Sequence, residues 1–131
     1  MTVPTSAGFA EMAKHCTGTG SPAAFTRIAI GEGSAPGSTA TALVDEVTDT
    51  GLGRANVTGD NISTVQTTLP NDTASWVHVF TATGSKEITE AAIFNAASGG
   101  DMLIVGAVSP SAPMVNGDTL TLTMKCQFKA D

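Results

Sequence analysis

Thr119-Leu120-Thr121-Leu122-Thr123-Met124-Lys125-Cys126-Gln127-Phe128 is the stretch that decides the fold. Leu120, Leu122, Met124, Cys126 and Phe128 alternate strictly with polar residues. A period of two puts successive side chains on opposite faces of a strand, apolar inward and polar outward. The turn residues Val115-Asn116-Gly117-Asp118 lead into it.

Upstream, residues 75–83 read as a second strand. Trp76, His78 and Phe80 share one face, and Val77 and Val79 lie on the other. Two apolar faces predict a central strand. Residues 25–30, 88–94 and 102–108 read as further strands, and Ser109-Pro110-Ser111-Ala112-Pro113 as a rigid connector. Residues 52–58 and 61–69 suggest a hairpin around Gly59-Asp60, followed by a turn at Leu69-Pro70-Asn71-Asp72. Residues 42–47 fit either a strand or a helical turn. Short strands with turn signals every eight to twelve residues predict an all-β protein, a single antiparallel β-sandwich of jelly-roll type.

One short helix is expected at residues 7–16, where Phe9, Met12, Ala13 and Cys16 recur at helical spacing. Ser6 is the candidate N-cap, and Gly18 and Gly20 end the pattern. Residues 1–20 thus form an N-terminal arm and helix that covers one end of the core. Residues 21–131 form the sandwich, the whole making one domain.

The chain has 131 residues and a formal charge of −6, with six Lys and Arg. Nucleic acid and anionic membrane both call for a cationic surface, so neither is an expected partner. Charged residues are 14% of the chain, below the roughly 25% of soluble domains, and Thr and Ser fill the polar positions. No apolar run is long enough to span a bilayer, and the N-terminus lacks the basic head and apolar run of a signal peptide. Cys16 and Cys126 are expected to be free.

The residues supply no expected catalytic centre, cofactor site or metal site. Gly31-Glu32-Gly33-Ser34-Ala35-Pro36-Gly37 follows a strand, but no helix starts after it, Pro36 lacks a donor and Glu32 repels phosphate. Asp45, Glu46 and Asp49 read as solvated loop carboxylates, and their spacing does not fit a calcium loop. Glu90 shares a face with Ile88, Ala92 and Phe94 on strict alternation. It is expected to be partly buried and paired with Arg27 or Arg54. Two histidines and two dispersed cysteines give no zinc spacing. No nucleophile stands beside a base and an orienting group.

Several segments carry a resemblance. They are the N-terminal short helix, Phe25-Thr26-Arg27-Ile28-Ala29-Ile30-Gly31-Glu32-Gly33, Leu43 to Val47 with Arg54, the run 76–82, Ile88-Thr89-Glu90-Ala91-Ala92-Ile93-Phe94-Asn95-Ala96, Gly99-Gly100-Asp101-Met102-Leu103, and Asn116-Gly117-Asp118-Thr119-Leu120. Over most of residues 8–128 the chain resembles the small β-sandwich virion structural proteins of tailed phages, which serve as head decoration (cement) or tail-fibre proteins. It departs at Ala92, where relatives are expected to carry Gly. The resemblance implies a non-enzymatic virion component, made in the host cytoplasm, whose partners are the major capsid protein or other virion proteins. A capsid decoration protein that bridges shell subunits is the first expectation. A tail or baseplate fibre or adaptor module is the second, and a lectin-like receptor-binding module the third. The scarcity of charge and the long loops add the expectation of a homo-oligomer, dimer or trimer. Partner contacts are expected in the N-terminal segment and the 31–41 loop, at Phe9, Met12, Gly31, Gly33, Pro36 and Thr39.

Overall fold

The computed structural model describes residues 2–129. Eight strands and one helix follow in the order β1 (Thr2–Pro4), α1 (Ser6–Thr17), β2 (Arg27–Gly31), β3 (Ala55–Asn56), β4 (Ile62–Val65), β5 (Thr73–Thr81), β6 (Lys86–Phe94), β7 (Met102–Met114) and β8 (Thr119–Gln127). They form two antiparallel sheets. Sheet A has five strands in the order β1-β7-β6-β2-β3, and sheet B has three in the order β4-β5-β8. The all-β sandwich with one short N-terminal helix is as the sequence predicts.

The two sheets bury different patterns because they have different numbers of covered faces. Sheet B is covered on one side. Trp76, Phe80 and Met124 point into the space between the sheets and are buried, while Thr119, Thr121 and Thr123 stand in solvent. Sheet A is covered on both sides. Ile28, Ile30, Ala91, Ile93 and Ile104 face sheet B. Ala29, Ala92, Phe94, Met102 and Val105 form a second cluster on the opposite face, beneath Leu43. Removing both faces from water gives near-continuous apolar runs in β2, β6 and the first half of β7.

Several expectations change. Residues 52–58 and 61–69 are no hairpin. Ala55–Asn56 pairs with β2 in sheet A, whereas Ile62–Val65 pairs with β5 in sheet B, and a single helical turn at Gly59–Asn61 carries the chain across. Leu52 and Val57 are buried between the sheets, which draws the backbone out of a two-strand ladder. The 109–113 segment is not a connector but the second half of β7, pairing Pro113 with Glu87 and Ala112 with Ile88. Proline is tolerated there because β1 ends opposite Gly106 and leaves the far edge of β7 open. Phe128, expected in the core, is 50% exposed, since the β5–β8 ladder ends at Gln127.

The N-terminus is part of sheet A. Thr2–Pro4 pairs with residues 104–106 of β7. Thr5, not Ser6, caps α1. Its Oγ1 accepts from the Gly8 N–H at 3.0 Å and donates to the Met102 carbonyl. Gly18, with φ 68°, closes the helix in the left-handed region. The buried face of α1 carries Gly8 and Glu11 rather than Phe9, Ala13 and Cys16. A Cβ on Gly8 would lie 2.7 Å from the Leu103 carbonyl oxygen, so a missing side chain sets how closely the helix docks on β7. Glu11 is buried with its charge met by Lys14 at 2.7 Å.

Candidate functional site

The outer face of sheet A is organised by Glu90, the most deeply buried charge of the described residues. A register shift between Ile88 and Glu90 turns Ile88 toward sheet B and leaves Glu90 with Ala92 and Phe94 on the outer face. No arginine reaches it. Its carboxylate accepts the backbone N–H groups of Gly33, Val44 and Asp45, each at 2.8 Å. A carboxylate with three backbone donors needs no counter-ion to be buried, because the N–H dipoles supply the compensating field. The glycine-rich loop does build an anion cradle, and the anion is the protein's own. A Cβ on Gly33 would sit 2.6 Å from the Glu90 Oε2, so this position fits only glycine.

The same loop is tied at further points. Glu32 N–H donates to the Asp45 carbonyl at 2.9 Å, Val47 N–H to the Ile30 carbonyl at 2.9 Å, and Thr89 Oγ1 to the Gly33 carbonyl at 2.6 Å. Glu32 accepts the Glu87 N–H at 2.9 Å and meets Lys86 at 3.4 Å. These two, the backbone donor first, hold its carboxyl below the usual value. Residues 42–47 are loop apart from a single bridge between Gly31 and Glu46.

Arg54 closes the other end of this face. It grips Glu46 through Nε at 3.0 Å and Nη2 at 2.7 Å, and donates to the Ala96 and Gly99 carbonyls at 2.9 Å. Its guanidinium lies 3.7 Å from the Phe94 ring centroid. Arg54 and Glu46 line a 410 Å³ cleft with Thr48, Gly53 and Ser98. The guanidinium is already engaged on Nε and both Nη atoms, so it fixes the 46–54 segment to the β6–β7 loop.

The six expected contact residues do not form one patch. Phe9 is 63% exposed on α1. Met12 turns the other way, into a 310 Å³ apolar cleft shared with His15, Phe25, Trp76 and Phe128. The Trp76 Nε1–H at its floor donates to the Phe25 carbonyl at 2.7 Å. Gly31 is buried in β2 and paired with Glu90, beneath the loop that folds over it. Gly33 is engaged with Glu90. Pro36 is half-buried and Thr39 is exposed. The two segments do adjoin: the Ser6 N–H at the start of α1 donates to the Ser38 carbonyl at 2.8 Å.

Sequence reasoning missed Asp72. It accepts the N–H groups of Thr67 and Leu69 at 2.9 Å and of Thr68 at 3.0 Å, plus the Gln127 amide at 2.9 Å. The Leu69 donor leads in holding its carboxyl well below the usual carboxylate range. The pattern Leu69-Pro70-Asn71-Asp72 signals the turn, but not that its acid reaches across to β8. His78 sits edge-on to Phe80, its imidazole pushed down by burial, and burial pushes the Cys126 thiol up. Among the described residues no three His, Cys, Asp or Glu side chains cluster as metal ligands, and no helix is long and apolar enough to cross a membrane.

The described polar centres therefore hold loops on the scaffold. The sequence profile of one protein family, the podophage GP4 fiber I protein gp80, matches residues 6–126. The chain belongs to this family. The match runs from α1 to Cys126 in β8 and so takes in strands of both sheets and the Glu90 cradle. As a member of the podophage fiber I family, the protein is a phage virion structural protein. No curated protein matches the chain.

Proposed function

We propose that the protein is a module of the phage tail-fibre apparatus, and that it acts by shape and contact area rather than by catalysis. The observation that carries this reading is the fiber I family match across residues 6–126. It favours the tail module over capsid decoration, which the sequence alone placed first. The structure supports a passive role through its chemistry. Glu90, Arg54 and Asp72 are each saturated by internal hydrogen bonds, which suits a rigid spacer. The partners are other virion proteins, and the place is the virion. The N-terminal helix adjoins the loop over sheet A at Ser6 and Ser38, and the exposed Phe9 of the helix with Thr39 and Val44 of the loop are offered to a neighbouring virion protein.

Antibody labelling of purified virions, with copy number from quantitative mass spectrometry, tests the assignment. The expected result is label at the tail and a few to tens of copies per particle. Hundreds of copies spread over the capsid would overturn it and restore the decoration reading.

A further inference from the structure

Sheet edges are where one β protein recruits another strand, and natural edges are blunted by shortness, proline, charge or bulges. Four edges here are blunted. β1 has three residues and ends in Pro4, β3 has two residues, β4 has four, and the open half of β7 carries Pro110 and Pro113. β8 has none of these devices. Its nine residues pair one-to-one with β5, with no register shift, and it contains no proline and a single charge, Lys125.

The outward backbone groups can be assigned. The Phe128 N–H donates to the Asp72 carbonyl and the Ala82 N–H to the Asp118 carbonyl. Even-numbered residues of β8 therefore bond toward β5, and Thr119, Thr121, Thr123, Lys125 and Gln127 direct their N–H and C=O groups away from it. Beneath this edge Leu120 and Leu122 are only half-buried, and a 240 Å³ gap opens between Leu122, Met124 and residues 106–109 of β7.

We propose that this edge binds a second copy of the chain, β8 against β8, antiparallel about a two-fold axis through Thr123. The two three-stranded sheets become one of six strands. All five outward residues then find partners: Thr123 opposite itself, Thr121 opposite Lys125 and Thr119 opposite Gln127. Each such pair exchanges two backbone hydrogen bonds. On the inner face Leu122 meets the second copy's Met124 and Leu120 meets its Cys126, which covers the half-exposed leucines. A shift by two residues loses one of the five pairs, and a shift by four loses two, in one direction setting Lys125 opposite itself.

Charge selects a second copy as the occupant. The chain carries −6, yet none of its twelve Asp and Glu lies in β4, β5 or β8. Two copies thus meet along strands free of their shared negative charge. The two Lys125 side chains sit four residues apart along the ladder, about 13 Å, beyond a Debye length at physiological salt.

The test uses the full-length purified chain, so its failure says nothing about the protein's place in the particle. Light scattering should give twice the 13.2 kDa chain mass. Thr123→Lys sets like charges at the axis, and Thr123→Pro removes a donor that β5 does not use. Each should weaken dimerisation at least tenfold with an unchanged circular dichroism spectrum, while Ser63→Lys on the short β4 edge leaves it intact. Amide exchange on the unaltered chain is the second measurement. The N–H groups of residues 119, 121, 123, 125 and 127 should be protected at high concentration and exchange quickly on dilution. A monomer at every concentration, a trimer, a dimer indifferent to both Thr123 variants, or odd-numbered amides that never gain protection would each overturn the proposal.

Discussion

Sheet A and sheet B are built from the same kinds of residue but do different work. Sheet A is sealed. Its inner face packs on sheet B, its outer face lies under the 31–47 loop, and its edges are short or proline-bearing. Sheet B keeps the outer side of β8 and Val79, though not Thr73 and Ser75, in solvent together with the long β8 edge. The difference shows how a small domain separates stability from contact. A face covered on both sides cannot recruit a neighbour, and a face that recruits a neighbour cannot be sealed in the monomer.

The largest effect should come from emptying the sealed side. Phe94→Ala removes a fully buried ring from the outer cluster of sheet A and the surface on which Arg54 rests. It should cost about 3–5 kcal/mol, the range for large-to-small core changes. Urea denaturation checks it. A loss below about 1 kcal/mol would mean that the loop does not seal this face.

Next comes the cradle. Glu90→Ala leaves the N–H groups of Gly33, Val44 and Asp45 without their acceptor. Each buried, unmet donor costs roughly 1–3 kcal/mol, less whatever water recovers, so a loss of about 3 kcal/mol is expected. Proteolysis should cut the 31–47 loop in the variant well before the strands, since Glu90 supplies three of the bonds that tie the loop down.

How far the sequence revealed this contrast follows from what each sheet shows in one dimension. Sheet B was legible because one open face leaves a period of two, plain in β8, while the two apolar faces of β5 marked it as the central strand that it is. Sheet A strands were legible as apolar runs, but the direction of each side chain was not. A bulge between Ile88 and Glu90 has no sequence signal, and it turns Ile88 to the inner face, while the folded loop meets Glu90 with backbone donors in place of the expected arginine. The helix face was misread because contact with β7 was set by the absence of a side chain at Gly8, which hydrophobic spacing cannot register. The crossing at Gly59–Asn61 imitated a hairpin, since turn residues between two apolar stretches look the same whether the strands rejoin one sheet or divide between two. Of the proposed contact residues, Phe9 and Thr39 are exposed, whereas Gly31 is buried, because a glycine-rich segment reads as surface even when another loop covers it.

Sheet B has its own weak point, and pH reaches it. Asp72 ties the β4–β5 turn to β8, and its carboxyl is depressed by the Leu69 N–H above all. A depressed carboxyl contributes stability that is present above its unfolded value, near 3.9, and lost as pH falls through the folded one. Stability should therefore drop with acidification below about pH 4, and Asp72→Asn should flatten that part of the profile. A thermal melt series from pH 5 to pH 2 is the check, with fluorescence of Trp76 as the probe (about the range over which carboxylates titrate). An unaltered slope in the variant would show that other carboxylates set the acid limit.

The smallest effect is the one that defines the open face. Val79 is 52% exposed on sheet B, with Thr121 across the ladder on β8. Val and Thr share their branching and strand preference, so Val79→Thr changes only how the face meets solvent. Surface changes of this kind stay within about 0.5 kcal/mol. Denaturant midpoints of the two proteins should nearly coincide, in contrast to Phe94→Ala on the sealed side. The useful outcome is the departure. A loss above about 1 kcal/mol that grows with protein concentration would mean that the outer face of sheet B is covered in the assembled state, because only an interface makes stability depend on concentration. A loss of the same size that is independent of concentration would mean that Val79 is held by its own chain and that sheet B is less open than its exposure indicates.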